Sequence, residues 1–491
     1  MKAIKLITFF MILFGGTANA QITLSETMDM VNYRFADSQS RAYVDQHPSL
    51  TFNGFKSSND NFGYSIESII NKIYYSSNPN DIKLIRDLFE DVVDDAKLSL
   101  VVDPSVSNDC SFDRDKVDEN SRMLQNLAFV ALISYVADKE GINVQNPPNG
   151  AAALPSPTQA MSNLKTAFIR MLSYGVFGMT CKDQVHRQRS IMNTAKAIDL
   201  YLALENAYKH YENLSSWNYS YSYFLNSSQK AQLMSLVKES LDKMYDHLKD
   251  GALGVTTDEA EPGNRPLIIY SSIAYSSLVL QHPIEFIGLL PNIDVDELIE
   301  EALKKTSKSA GTNSNYYWGY QTADGERFWA EGQYYFRFAL RNVVSLWHAK
   351  RINNISTNFT YIDPFHSSNS MARKPLIWLA QTYEPGGFTA PIDDGNKSTI
   401  AASSFLRWSS DYGDEEIGKR FSHIAAEIRP SDEGIGLNSN MRVFELAIPR
   451  TLSKTAPDEI WGNTTPGIPS QTGKHEIVFR YKDNLGREHF I

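Results

Sequence analysis

Cysteine is almost absent: Cys110 and Cys181 are the only two, which excludes a disulfide-scaffold fold and a cysteine-based zinc ribbon. Long apolar runs are missing too. After the first twenty residues no stretch approaches the roughly 18 consecutive apolar residues of a membrane-spanning helix, so no membrane span is expected. Positive charge is in deficit, with 47 Lys and Arg against 57 Asp and Glu and a net charge of −10. The chain therefore lacks the basic footprint of a nucleic-acid binder, and an anionic ligand would need a local basic pocket. It has no Gly-rich phosphate loop, no nucleophile elbow and no His-Glu-x-x-His, so neither a metal nor another cofactor is expected. No repeat of fixed length is present, which argues against a regular solenoid.

What remains is a long chain rich in hydrophobic residues. At about 150 residues per domain, 491 residues make roughly three domains, or one large domain with an appendage. The hydrophobic share of 42% is enough for a large core, and the aromatic share of 12% is high. Residues 1–20 have the pattern of a secretory leader: Lys2 and Lys5, an apolar stretch from Leu6 to Phe14, then Ala18-Asn19-Ala20 as a small-residue cleavage site. The expected mature protein starts at Gln21 and is exported, periplasmic or secreted. In such a compartment Cys110 and Cys181 either pair or remain two buried thiols.

From about 25 to 350 the hydrophobic period is helical. Ile82, Ile85, Phe89, Val92 and Ala96 recur every three or four residues after the turn-forming Asn78-Pro79-Asn80. The same spacing joins Ile191, Ala195, Ile198 and Leu202, and again Leu233, Val237, Leu241, Met244 and Leu248. Each stripe predicts a helix with one buried face. Further helices are expected over 27–46, 63–76, 119–137, 160–174, 266–281, 294–307, 329–350 and 370–382. Helix pairs in such numbers bury their apolar faces on one another, as a solenoid or an α/α toroid. After about 384 the rhythm breaks at Gly386-Gly387, Pro391 and Asp393-Asp394-Gly395-Asn396. A helix at 414–427 and a strand and turn over His475 to Gly486 follow.

The densest group of chemically capable side chains lies at 313–341. Tyr316, Tyr317, Trp318, Tyr320, Phe328 and Trp329 precede Glu331-Gly332-Gln333-Tyr334-Tyr335-Phe336-Arg337. Rings beside charged groups suit a sugar, whose faces are apolar and whose hydroxyls need hydrogen bonds; the competing reading is a helix start whose rings are core. Arg337 and Arg341 share a helical face with Tyr334, either as a basic surface for a polyanion or as a solvated face. Glu331 with Asp324, Asp393 or Asp394 would suit an inverting glycosidase. The run Asp393-Asp394-Gly395-Asn396 lacks the closing Glu of a calcium loop and reads as a turn. His186-Arg187-Gln188-Arg189 is either an anion site at a helix start or solvated surface.

The segment Ala323-Asp324-Gly325 through Glu331-Gly332-Gln333-Tyr334-Tyr335-Phe336-Arg337-Phe338-Ala339-Leu340 resembles a pattern of the alginate-lyase-like and heparinase II/III-like polysaccharide lyases. Pro262-Gly263-Asn264-Arg265-Pro266-Leu267 and Ala380-Gln381-Thr382-Tyr383-Glu384-Pro385-Gly386-Gly387 through Asn396 are similar to two more motifs of that group, in the same order. The resemblance spans about 260–400. It implies a mainly α fold, an incomplete α/α toroid of antiparallel helix pairs over 21–384, with 385–491 as a mixed loop, helix and β extension where a β domain starts. The implied activity is β-elimination on a uronic-acid-containing polysaccharide, with that acidic polymer as the partner. It places Asn264, with Arg265 beside it, on the uronate carboxylate and Tyr334 or Tyr335 as base and acid; the residues themselves suggest Tyr316, Tyr317, Trp318, Trp329, Glu331, Arg337 and Arg341 along the substrate. Two positions depart from the pattern: Gln333 replaces a Pro, and Arg265 stands where the family has His. Arg pairs with a carboxylate bidentately but cannot act as a base. His282 is the alternative imidazole, or a helix-end residue; His366 is a weaker loop candidate. A degenerate lyase scaffold that only binds glycans is the rival expectation.

Overall fold

The computed structural model describes residues 66–75, 79–97, 114–174, 185–214, 218 and 220–249. Beyond these it describes 268–269, 271–276, 320–321, 327–328, 336, 376, 379, 383–384, 388–389, 418, 421, 480–482 and 488–490. The described part is mainly helical. Its long helices are α1 (Ile66–Tyr75), α2 (Pro79–Lys97), α3 (Arg114–Lys139), α4 (Pro157–Tyr174), α5 (Val185–Tyr211) and α6 (Ser227–Lys249).

Local chemistry sets several of the helix ends. Pro79 and Pro157 sit at first helical positions, where the missing N–H is no loss and φ is already helical. Ser156 caps α4 by accepting from the Gln159 N–H at 3.4 Å. At α6 the cap is reciprocal: Asn226 Oδ1 accepts from the Gln229 N–H at 2.9 Å, and Gln229 Oε1 accepts from the Asn226 N–H at 3.0 Å. Helix α3 stops at Gly141, whose φ of 81° lets the Ile142 N–H reach back to the Ala137 carbonyl at 2.9 Å. Asn213, with φ 51°, plays the same part after α5, where the Leu214 N–H donates to the Lys209 carbonyl.

Helices α3 and α5 form the most extensive contact among the described elements. Near their starts Asn193 donates to Ser121, and near their ends the Tyr135 and Tyr208 rings touch. The two helices therefore run parallel. Helix α4 follows α3 in the chain and packs against it, its start held where Ser134 of α3 donates to the Pro155 carbonyl at 2.7 Å. Helix α2 meets the first half of α3 with its last turn, where Asp95 accepts from Asn126 at 3.1 Å. Helices α3 and α5, two apart in the chain, thus point alike.

Burial separates two layers. In α2 the face holding Leu88, Phe89, Val92, Val93 and Ala96 is buried while Glu90 and Asp94 are exposed. In α4, Ala160, Met161, Leu164, Ala167, Phe168 and Met171 are buried while Gln159, Ser162, Asn163 and Arg170 are exposed. These are outer helices with one apolar stripe, as their periods predict. Helix α5 differs from the expected single buried face. Every residue from 191 to 205 is buried, polar ones included, and α3 is likewise buried around its circumference from 123 to 137. The reason is position: an inner helix has neighbours on all sides, so its polar face has no water to meet.

The remaining described segments are small. Residues 268–269 and 271–276 are helical and buried. Three short antiparallel ladders pair Tyr320–Gln321 (β1) with Arg327–Phe328 (β2), Tyr383–Glu384 (β3) with Phe388–Thr389 (β4), and Arg480–Lys482 (β5) with Glu488–Phe490 (β6). Ladders of two or three residues do not make a sheet layer.

Candidate functional site

The residues to which the sequence assigns chemistry lie outside the described residues: Asn264, Arg265, His282, Tyr316, Tyr317, Trp318, Trp329, Glu331, Tyr334, Tyr335, Arg337 and Arg341. So do Cys110, Cys181 and the leader over 1–20. Some of their chain neighbours are described. The β1–β2 ladder matches Tyr320 to Phe328 and Gln321 to Arg327, so the chain between them, which carries Asp324-Gly325, joins two paired segments. The β3–β4 ladder brackets Pro385-Gly386-Gly387 in the same way. Phe336, between Tyr335 and Arg337, is helical and buried.

Among the described residues, the richest concentration of functional groups is one the sequence reading did not single out. It sits where α3 and α5 end. The Tyr208 ring lies 5.4 Å from Tyr135, 5.5 Å from Tyr221 and 5.0 Å from Phe224, and Phe224 continues inward to Tyr201 and Phe168. Around the rim, the Tyr135 hydroxyl donates to Glu212 at 3.2 Å, Lys139 pairs with the same carboxylate oxygen at 2.6 Å, and the Tyr211 hydroxyl donates to Glu140 at 2.6 Å. The signal for it was present in the spacing of Tyr208 and Tyr211 and in the Tyr-rich loop up to Phe224. Nothing in that pattern says that Tyr135, over seventy residues earlier, completes it.

The electrostatics of this cluster favour holding over catalysis. Burial, then the Glu212 charge and hydrogen bond, keep the Tyr135 phenol protonated far above its ordinary range. Tyr208 is raised for the same reasons, burial first and Glu212 second. The Lys139 hydrogen bond lowers the Glu212 carboxyl, more than its partial burial raises it. Phenols kept neutral beside an ionised carboxylate donate hydrogen bonds and do not abstract protons. The cluster clasps the ends of two inner helices to the 220–226 loop.

A second set of polar groups lies within the inner layer. Lys230 of α6 forms a buried ion pair and hydrogen bond with Glu205 of α5, and its ammonium sits 5.8 Å from the centre of the Tyr201 ring. The Tyr201 hydroxyl accepts from the Leu225 N–H at 2.9 Å. Lys196, 1% exposed, lies 5.5 Å from the ring centre of Tyr275, which is itself fully buried. The buried surface of α5 therefore carries a cation, Lys196, two carboxylates, Asp199 and Glu205, and an amide, Asn193. Hydropathy spacing alone assigns those residues to a solvated face.

No group of three or more His, Cys, Asp or Glu able to hold a metal occurs among the described residues. Among them, too, no helix is long and apolar enough to cross a membrane. No family model matches the chain, and no curated protein matches its sequence.

Proposed function

We propose that the protein is a polysaccharide lyase that cleaves a uronic-acid-containing polysaccharide by β-elimination, acting outside the cytoplasm once its leader is removed. One observation carries this reading: three motifs, at 262–267, 323–340 and 380–396, stand in the order that alginate-lyase-like and heparinase II/III-like enzymes use. The mainly helical, two-layered packing of the described residues is compatible with the incomplete α/α toroid that those motifs imply. The small C-terminal β extension belongs to the same proposal.

The chemistry follows from the residue types. The carboxylate beside C5 of the uronate is neutralised by the Asn264 amide and the Arg265 guanidinium, which makes the C5 proton removable. Tyr334 or Tyr335, its phenol made more acidic by a nearby guanidinium such as Arg337, takes that proton. The C5–H electrons form the C4–C5 double bond as the C4–O4 bond breaks, and a phenol or His282 protonates O4. Tyr316, Tyr317, Trp318 and Trp329 offer ring faces to the sugars, while Glu331, Arg337 and Arg341 bind hydroxyls and carboxylates. No metal takes part in this scheme.

The test is to incubate the protein with alginate, glycosaminoglycans and other uronate polymers and to record ultraviolet absorbance. An unsaturated uronate product absorbs; a product of hydrolysis does not. Arg265 and Gln333 favour a second reading, a lyase-like scaffold that binds glycans without cleaving them. That reading predicts retention on a uronate polymer with no rise in absorbance. New reducing ends without absorbance would point to an inverting glycosidase using Glu331 and an Asp.

A further inference from the structure

The loop after α3 forms a 3-10 turn, Pro148–Gly150, that packs against α1. Asn149 there has φ 59° and ψ 21°, and Gly150 follows with φ 70°, a pair of left-handed residues suited to Asn-Gly. Both are exposed. The Asn149 Nδ2 donates to the Tyr74 carbonyl at 2.7 Å. That carbonyl belongs to the last turn of α1, whose C=O groups have no partner within the helix. One side-chain amide thus caps α1 from a loop 75 residues away. Beneath the cap the Tyr74 ring is buried edge-on against Phe89.

Asn followed by Gly is also the sequence most open to self-modification, because no Cβ shields the next backbone nitrogen. A Cβ built on Gly150 would meet nothing within 4 Å, so the space beside this residue is open. We propose that Asn149-Gly150 is a deamidation site gated by the docking of α1, and that the reaction permanently removes this cap from α1. While Nδ2 is bonded to Tyr74, the side chain is not free to turn its Cγ onto the Gly150 nitrogen. When the contact opens, that nitrogen attacks Cγ, loses its proton, and ammonia leaves. Water then opens the resulting succinimide at either carbonyl, giving aspartate or isoaspartate. The product carboxylate has no hydrogen to donate, and it places negative charge against a carbonyl at the negative end of α1. The cap cannot re-form.

The full-length protein and a synthetic peptide of residues 144–154 are held together at mildly alkaline pH. Residue 149 is followed by mass spectrometry, and amide exchange over 66–75 is read in the same samples. Conversion in the protein is expected at least about fivefold slower than in the peptide, the factor that one hydrogen bond carries. Converted molecules, and an Asn149→Asp variant, are expected to exchange the α1 amides about fivefold faster. Three results would overturn the proposal. These are no product in a time that converts the peptide many times over, conversion at the full peptide rate, or unchanged α1 exchange in Asn149→Asp.

Discussion

Lys230 and Glu205 show what a single buried contact commits the fold to. Both side chains are nearly out of water, 3% and 4% exposed, and each sits on a different helix. Replacing Lys230 with Met leaves a buried carboxylate without the ammonium it faces. Denaturant unfolding is expected to register a loss of about 3–5 kcal/mol, and Lys230→Met with Glu205→Leu to regain much of it, since two well-packed apolar side chains remove the unmet charge. A double variant no more stable than the single one would show that the pair is not the source of the loss. Glu212 is the exposed counterpart. Its carboxyl is lowered in the fold, chiefly by the Lys139 hydrogen bond, so its contribution is present above the unfolded carboxyl's range and is lost as pH falls through the folded value. Glu212→Gln is expected to lower stability modestly at neutral pH and leave the acid end, where the carboxyl is protonated anyway, little changed, so that the profile flattens, as thermal melts across pH would record. Tyr74 and Tyr135 work in the other direction. Both phenols are raised by burial, so their contribution is full at neutral pH and declines once pH exceeds the unfolded phenol's value, about 10.

At the scale of an element, the hydrophobic period finds the helices but not their environments; α4, α5 and α6 start three to six residues before the stripes over 160–174, 191–202 and 233–248. Ser156-Pro157-Thr158-Gln159 and Asn226-Ser227-Ser228-Gln229 each spell a start signal, and α4 and α6 begin there. The period over 160–174 predicts α4 and its buried face because an outer helix has solvent on one side. The same argument over 191–202 finds α5 but misassigns Asn193, Lys196 and Asp199, which are buried. Whether a polar stripe meets water or another helix depends on what packs beside it, and that is not written in the helix's own residues. Gly141 offers a clean test of the end signals. A Cβ there would meet nothing within 4 Å, so Gly141→Ala carries only the backbone cost of φ 81°. A loss of about 1–2 kcal/mol is expected by chemical denaturation, with Asn at 141 milder because it tolerates the left-handed region.

For the whole molecule, the proposed reaction requires Asn264 and the Tyr334-Tyr335 pair, some seventy residues apart, to meet around one uronate ring. If the polymer panel yields an unsaturated product, Asn264→Ala is expected to lower kcat about 100-fold or more, as loss of a charge-stabilising donor does. Phe at the tyrosine that moves the proton is expected to abolish turnover while polymer binding persists. Both Phe variants retaining full rate would remove the tyrosines from the mechanism. These residues are nominated by motif resemblance alone, and all of them lie outside the described residues. The Tyr135–Tyr208 clasp was not legible, because its members come from separate helices and each looks, in its own segment, like ordinary core.

By itself the sequence determined which local groups end these helices, because a cap, a left-handed glycine or a proline acts on its own few neighbours, although the hydrophobic stripes mostly fall inside the observed bounds. It also determined that the described chain is mainly helical, through a hydrophobic period that repeats over many turns. Only the tertiary structure decided which helices are inner: α3 and α5 are enclosed because α4 packs on α3, α6 packs on α5 and the two run parallel against each other. Enclosure is a property of neighbours, and it turns the polar residues of α5 from a solvated stripe into paired groups inside the core.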